Sequence, residues 1–279
     1  MTHDRAVRRS GGRAVGEGGD RPPVRPSASP AVLREQPVGD ATVPRMELRE
    51  WAEQFGVVAG ITTRQGGFSL GLWSEERVGQ VMGRWRAFCA AFRPAFHAVV
   101  LSHQIHGTAV QWRSGATDGW LLCEGVDGHA TGDPGLLLTI TVADCIPVYL
   151  VAPGKQVVAL LHAGWRGTAG RILERGVELV RREAQVSVAD IVMHCGVGIC
   201  GQCYEVGSEV LTHLTGRTEQ ASGQVDLRDE LARQARELGL TGLSVSPWCS
   251  AHDRERFYSH RASGGRDGRM VAYLGVPFA

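Results

Sequence analysis

Two apolar runs in the middle of the chain have the length and the β-branched content of buried strands. They lie at 136–142 and 157–161. Shorter apolar or alternating runs predict further strands at 57–63, 98–102, 108–112, 126–131, 191–194, 243–246 and 270–274. Many short strands with few helical stretches favour an α+β fold, a mixed layered arrangement of two β-sheets flanked by helices.

Three stretches have the period of an amphipathic helix. They lie at 74–92, 172–182 and 227–238. Asp226 and Gly239 supply the expected N-cap and C-terminal stop of the last one. The second follows the sequence Gly-Trp-Arg-Gly-Thr, which predicts Thr168 as its N-cap.

The composition predicts a globular protein, with 43% hydrophobic and 21% charged residues. A net charge of +1 argues against a nucleic-acid surface. The sequence has no apolar run of the ~18–20 residues that span a membrane, and its N-terminus lacks the apolar segment of a signal peptide. Seven cysteines without small-scaffold spacing favour a reducing, cytoplasmic location over a disulfide framework.

The first 45 residues differ in composition from the rest of the chain. They are rich in Arg, Gly, Pro and Ser and have no hydrophobic period. Such a composition predicts a disordered N-terminal extension, because it cannot bury a core. The folded part is then a single domain at 46–279.

Cysteine and histidine side chains stand at the ends of the two central apolar runs. Cys145 follows the first run and His162 follows the second. Thiolate and imidazole are ligands of zinc, so the two runs can bring a metal site together. Buried structural Cys and His are the alternative interpretation.

Short motifs along most of the chain occur in a fixed order. They are TTRQGGFS at 62–69, SHQIHG at 102–107, DGHAT at 127–131, ADCIPVYL at 143–150, HAGWRGT at 162–168, CYEVG at 203–207, CSAHDRERFYSHR at 249–261 and DGR at 267–269. In these motifs the chain resembles the laccase-domain family, also called polyphenol oxidase or YfiH-like, which includes proteins linked to editing of peptidoglycan precursors. The resemblance covers about 61–274 and implies a single domain of the layered α+β kind.

The resemblance implies one Zn²⁺ on His106, Cys145 and His162. Three protein ligands leave a fourth position for water or substrate, as in catalytic zinc sites. Cys145 and His162 are the expected catalytic residues. The copper-oxidase name fits the sequence poorly, because a laccase needs several His-x-His ligand pairs and this chain has none among its ten His.

The function that the resemblance implies is an enzyme of purine nucleosides. Such relatives are described as phosphorolysing adenosine, inosine and methylthioadenosine, and as deaminating adenosine. The expected partners are therefore small nucleosides and phosphate, with no nucleic acid and no membrane. In deamination, zinc would activate a water molecule for attack on C6 of adenine.

Arginines beside glycines are candidates for binding phosphate. Arg64 and Arg166 stand where a guanidinium and backbone N–H groups can hold an anion together, and Arg261 in FYSHR is similar. The alternative for each of the three is a solvated surface arginine.

Two other functions remain open from the sequence. Cys145 can be a nucleophile with His162 as its base, which gives a metal-free hydrolase or amidase acting on peptidoglycan precursors. Alternatively, zinc is purely structural in a non-enzymatic binding module, and a fourth ligand such as His103 would favour that reading.

Two nearby groups have no assigned role. Asp144 either hydrogen-bonds to a metal ligand from outside the coordination shell or stabilises the fold. Cys200 and Cys203 form a C-x-x-C pair, but with no matching pair elsewhere the sequence favours two ordinary thiols near a turn.

Overall fold

The computed structural model describes residues 1, 30–39, 42–115, 117–216, 218 and 221–278. In these residues the strands are β1 (Ala31–Val32), β2 (Gln36–Pro37), β3 (Arg45–Glu47), β4 (Val58–Thr62), β5 (Ala98–His103), β6 (Val110–Arg113), β7 (Gly119–Glu124), β8 (Gly128–Thr131), β9 (Leu136–Val142), β10 (Ile146–Ala152), β11 (Val157–Ala163), β12 (Val192–Cys195), β13 (Glu205–Gly207), β14 (Ser222–Gln224), β15 (Gly242–Val245) and β16 (Met270–Gly275). The helices are α1 (Arg49–Phe55), α2 (Val78–Phe92), α3 (Trp165–Ala169), α4 (Ile172–Ala184), α5 (Ser208–Thr215), α6 (Leu227–Leu238) and α7 (His260–Ser263). None of these helices is long and apolar enough to cross a membrane.

Two large mixed sheets organise this part of the chain. The first has seven described strands in the order β1-β15-β12-β10-β11-β8-β6, and the second has seven in the order β2-β3-β4-β16-β9-β5-β7. Strand β10 runs antiparallel to both β11 and β12, whereas β12 and β15 are parallel. Strands β13 and β14 form a separate antiparallel pair.

The sheets pack face to face with helices on their outer sides. Along β10, Val148 and Leu150 point to the cluster that includes α4 and α6, while Tyr149 and Val151 point to the core between the sheets. Helix α2 covers the outer face of the second sheet. These layers confirm the predicted α+β fold. Because the central strands are buried on both faces, they have continuous apolar sequences.

The predicted domain boundary at Met46 is wrong, because the structure packs earlier residues into the fold. Strand β1 pairs with β15, and Val43 is fully buried. Buried Glu35 places one carboxylate oxygen 3.2 Å from His194 Nε2 and accepts a hydrogen bond from Ser246 Oγ at 2.7 Å. Very short strands and a buried carboxylate give no periodic signal in the sequence. Residues 2–29, where most of the predicted extension falls, lie outside the described residues.

The segment after β11 also differs from the prediction. Thr168 does not cap a helix but is buried inside α3, whose N-cap is Gly164. Helix α4 begins separately after Arg171, which has a left-handed φ of 62°. A short helix, α3, therefore stands where the sequence predicted only the N-cap of the following helix.

Candidate active site

Three separate segments bring His106, Cys145 and His162 together. His106 lies after β5, Cys145 lies in the turn between β9 and β10, and His162 lies near the end of β11. Their ligand atoms are all within 4.8 Å of one another, and the two imidazole rings are 5.0 Å apart. The antiparallel register pairs Pro147 with His162, which places Cys145 beside His162. We call these residues the three-ligand cluster.

The backbone around this cluster is tight and locally strained. A Cβ on Gly164 would lie 2.9 Å from Cys145 Sγ, so this position has no room for a side chain. His106 and Asp144 both adopt left-handed conformations, with φ of 59° and 85°. Such conformations cost a non-glycine residue about 1–3 kcal/mol and are concentrated at functional sites. The local strain therefore supports a functional role for the two turns that carry His106 and Asp144.

Asp127 organises the cluster, and sequence reasoning missed it. It is fully buried, and its carboxylate accepts backbone N–H groups from Ile105, His106 and Gly107 at 3.2, 2.9 and 2.7 Å. The other partner is His162, whose Nδ1 lies 3.0 Å from Asp127 Oδ1. A carboxylate only accepts, so Nδ1 carries a proton, and Nε2 is the ring atom that can bind a metal or, when protonated, donate to Cys145. The sequence feature that could have identified Asp127 is its position directly before a buried strand.

The charges of the cluster favour a thiolate. Burial alone would raise the pKa of Cys145, but His162 and His106 lower it to about 6. Burial would lower the pKa of His162, but Cys145 and Asp127 raise it to about 9. Burial likewise opposes ionisation of Asp127, yet hydrogen bonds from His162 and the backbone bring its pKa below its usual value. In the metal-free protein at neutral pH, Cys145 is therefore a thiolate beside an imidazolium.

The donor set of the three-ligand cluster fits Zn²⁺. One thiolate and two imidazoles are typical zinc ligands, and three protein ligands are typical of catalytic zinc. Asp127 behind His162 is the kind of outer partner that orients metal-bound imidazoles. Cys145, His162 and Asp127 also have the order of nucleophile, base and orienting carboxylate in cysteine hydrolases.

A cleft of about 460 Å³ opens beside the cluster, a volume suited to a small ligand. Aromatic lining residues are Trp73, Trp165 and Tyr204, and cationic ones are Arg166, Arg261 and Arg269. Trp73 is 51% exposed and stacks on His103 with the ring centres 4.5 Å apart. The cleft thus combines flat apolar faces with positive charge.

Two of the three predicted phosphate-binding arginines line the cleft. Arg166 and Arg261 do, whereas Arg64 is not among the lining residues. The Arg64 guanidinium lies 3.5 Å from the Asp267 carboxylate and 4.8 Å from the centre of the Tyr258 ring. Arg269 lines the cleft and was not singled out in the sequence. Motif membership alone did not distinguish Arg64 from Arg269.

The cleft arginines differ in how much hydrogen-bonding capacity they have left. Arg261 donates from Nη1 to the Glu205 carbonyl at 2.6 Å, and Arg269 donates to backbone carbonyls as well. Within the described residues, the Arg166 side chain has no ion pair or hydrogen bond and packs on the Trp165 ring at 4.4 Å. Arg166 is therefore the cation with the most donors free for a ligand.

His103 and Asp144 lie near the three-ligand cluster without joining it. His103 Nδ1 lies 3.1 Å from the Glu124 carboxylate, and His103 is outside the ligand group formed by the described residues. Asp144 accepts hydrogen bonds from Ser250 Oγ and from the Arg261 backbone N–H, each at 2.6 Å. The Asp144 carboxylate therefore holds both the loop between β15 and α7 and the start of α7 beside the cleft.

The sequence favoured two ordinary thiols near a turn for Cys200 and Cys203, but the structure places them in a larger group. They lie with Cys249 and His252 in a second group whose ligand atoms are within 4.8 Å of one another. Sequence reasoning missed this group because its two halves are far apart along the chain. We call it the four-ligand cluster.

Comparison with known proteins decides the family. A family model described as "Multi-copper polyphenol oxidoreductase laccase" matches residues 58–277. The chain belongs to this laccase family. The match covers both ligand clusters and all the cleft arginines, and it confirms the resemblance seen in the sequence motifs.

Several curated relatives and solved structures are similar to this laccase-family chain. "Purine nucleoside phosphorylase YlmD" of Geobacillus stearothermophilus is 32% identical over 253 residues, which cover 79% of this chain and 90% of the relative. "Purine nucleoside phosphorylase" of Deinococcus radiodurans is 35% identical over 246 residues, which cover 81% and 92%. The crystal structure of YlmD from Geobacillus stearothermophilus has a TM-score of 0.77 at 29% identity, covering 86% of this chain and 98% of that one. The Bacillus licheniformis hypothetical protein YfiH has the same TM-score and coverage at 25% identity.

Proposed function

We propose that this protein is a zinc-dependent purine nucleoside phosphorylase that also deaminates adenosine. Its substrates would be adenosine, inosine or methylthioadenosine together with phosphate. The observation that carries the proposal is the position of the three-ligand cluster in a cleft with aromatic faces and arginines. Relatives named purine nucleoside phosphorylase support it.

The metal would be held by His106, Cys145 and His162. When bound, zinc supplies Lewis-acid polarisation of a reacting oxygen or nitrogen atom. Cys145 supplies the negative charge, because its lowered pKa of about 6 makes it a thiolate at neutral pH. Asp127 fixes both the His162 tautomer and the backbone at His106, so the ligands are positioned before the metal arrives.

Aromatic side chains of the cleft would hold the purine. A purine ring stacks on indole, and one such contact contributes about 1–3 kcal/mol. Trp73 is fixed by its stack on His103 and still exposes half of its surface. Trp165 adds a second indole next to Arg166.

The arginines would bind the phosphate that attacks the nucleoside. A phosphate oxygen forms a bond to ribose C1′ as the C1′–N9 bond breaks, and the electron pair of that bond goes to the purine. The purine then takes up a proton from phosphate or water. Guanidinium groups suit this anion because they donate charge-assisted hydrogen bonds in pairs. Arg166 has the donors free for this role.

Replacing Arg166 with alanine should weaken phosphorolysis much more than deamination. Charge-assisted hydrogen bonds are worth about 1.5–3 kcal/mol, so kcat/KM for phosphate should fall about 10- to 100-fold. Deamination exchanges the 6-amino group for water and uses no phosphate. The measurement is the ratio of the two activities, with zinc content determined on the same samples.

Arg64→Ala is the matched control, since Arg64 lies outside the cleft lining and should leave the ratio unchanged. If Arg166→Ala also leaves the ratio unchanged, or if it loses zinc, Arg166 does not place phosphate and has a packing role.

A second candidate is a cysteine hydrolase or amidase acting on peptidoglycan precursors. It is favoured by the thiolate of Cys145 and by the alignment of His162 with Asp127. In that mechanism His162 returns a proton to the leaving amine. The two candidates differ in one property: the hydrolase keeps its activity in a chelator. The binding-module alternative is not supported by His103, which pairs with Glu124.

A further inference from the structure

The four-ligand cluster (Cys200, Cys203, Cys249 and His252) joins two loops that are distant in sequence. Cys200 and Cys203 lie between β12 and β13, and Cys249 and His252 lie between β15 and α7. Each pair has two residues between its members, the C-x-x-C and C-x-x-H spacing of structural zinc sites. The fold therefore brings Cys249 and His252 next to Cys200 and Cys203, which the local sequence around either pair does not show.

The four side chains surround one point, since one ligand atom from each lies within 4.8 Å of the others, and the His252 ring lies between the Cys200 and Cys203 sulfurs. His252 Nδ1 lies 3.5 Å from Cys200 Sγ, and His252 Nε2 lies 3.3 Å from Cys203 Sγ. Ligand atoms at ~2.0–2.3 Å from a common zinc ion are about 3.5–3.8 Å apart in a tetrahedron. Only one nitrogen of His252 can bind the ion, so the ligand atoms, which lie within 4.8 Å of one another, must draw closer for all four side chains to share it.

Backbone hydrogen bonds hold both pairs in place. The Cys203 N–H donates to the Cys200 carbonyl at 3.0 Å, and the Asp253 N–H donates to the Cys249 carbonyl at 2.8 Å. The Cys200 N–H also donates to Cys249 Sγ at 3.3 Å, an interaction that stabilises a thiolate. A bridge between Gly198 and Cys249 joins the two loops directly.

We propose that Cys200, Cys203, Cys249 and His252 bind a structural Zn²⁺. Three thiolates and one imidazole are soft or borderline ligands that select zinc over Mg²⁺ or Ca²⁺. Four protein ligands close the coordination shell, in contrast to the three-ligand cluster. The proposal does not depend on the proposed phosphorylase activity.

The position of the four-ligand cluster indicates what role a zinc ion bound there would have. Tyr204, adjacent to Cys203, packs against the Arg261 guanidinium at 5.0 Å. Ser250, adjacent to Cys249, donates to Asp144, which precedes Cys145. The ion would therefore fix the loop that carries Tyr204 at the cleft to a second loop that holds Asp144 in place.

Metal content of the full-length protein tests the site. Wild-type protein should bind about two zinc ions per chain, and the double variant Cys200→Ser/Cys203→Ser should lose about one of them. In Cys145→Ala protein, the remaining zinc should have three sulfur neighbours at ~2.3 Å in X-ray absorption. Zinc content of the double variant equal to wild type, or a Cys145→Ala protein without sulfur-bound zinc, would overturn the proposal. If only the three-ligand cluster fails to bind zinc, the Cys145→Ala protein should instead have the same zinc content as the wild-type protein.

Thiol labelling of the wild-type protein gives a test that does not require a folded variant. Cys200 and Cys203 should be alkylated only after a zinc chelator is added. Cys89 and Cys123 are similarly half-buried and serve as controls whose labelling should not depend on chelator. Labelling of Cys200 and Cys203 without chelator, or only after a disulfide reductant, would show that they do not bind zinc.

Discussion

Replacing Cys145 with alanine is expected to abolish both turnover and zinc binding at the three-ligand cluster. The two remaining imidazoles bind zinc poorly, and the negative charge that balances the ion is lost. Loss of an outer partner of a metal ligand already costs about 10- to 100-fold in affinity, so loss of a direct ligand should cost more. Phosphorolysis should therefore fall by at least about 1000-fold. The measurements are zinc per chain and release of free base from inosine with phosphate.

Cys123→Ala is the matched control, because Cys123 is a half-buried thiol outside both ligand clusters. It should retain the zinc content and the activity of the wild-type protein. A Cys145→Ala protein that loses activity but keeps full zinc content would instead identify Cys145 as a nucleophile. That result would favour the hydrolase candidate.

Replacing Asp127 with asparagine should have the second-largest effect. Asparagine has nearly the same shape, but one of its two terminal atoms is a donor that would face backbone N–H groups. Some of the four hydrogen bonds to this fully buried group would then be lost. Each buried group left unpaired costs about 1–3 kcal/mol, so unfolding should become easier by roughly 2–4 kcal/mol. Zinc affinity should also fall about 10- to 100-fold, because His162 loses its orienting partner.

Thermal unfolding and competition against a zinc chelator measure these two effects. Asp133→Asn is a suitable control, since Asp133 also accepts a backbone N–H, from Gly115 at 2.6 Å, but at an exposed position. An Asp127→Asn protein with wild-type melting temperature and wild-type zinc affinity would show that Asp127 does not organise the cluster.

The parts of the fold that could be predicted have local sequence signals. Strand β9 was predicted at its observed bounds because burial on both faces requires a continuous apolar run. Helix α6 was predicted at its observed bounds because Asp226 and Gly239 act within one turn of its ends. By contrast, Glu35 was missed because its burial depends on His194 and Ser246, far along the chain.

The same distinction applies to the candidate site. Cys145 and His162 could be located because each lies at or just after the end of an apolar run that predicts a strand, and His106 because of its motif. Asp127 could not be assigned, since its role depends on a loop and a strand that meet only in the fold. For the same reason, the sequence alone did not show that Cys200 and Cys249 lie close together. It also did not show that Arg269, and not Arg64, lines the cleft.

Phosphate-dependent release of base from inosine, before and after zinc removal, is the most direct test of a zinc-dependent phosphorylase. The wild-type protein should produce free base and ribose 1-phosphate in equal amounts. Its activity should fall to background in a chelator and return when zinc is restored. Full activity in the zinc-free protein, or base release that does not require phosphate, would contradict the proposed function.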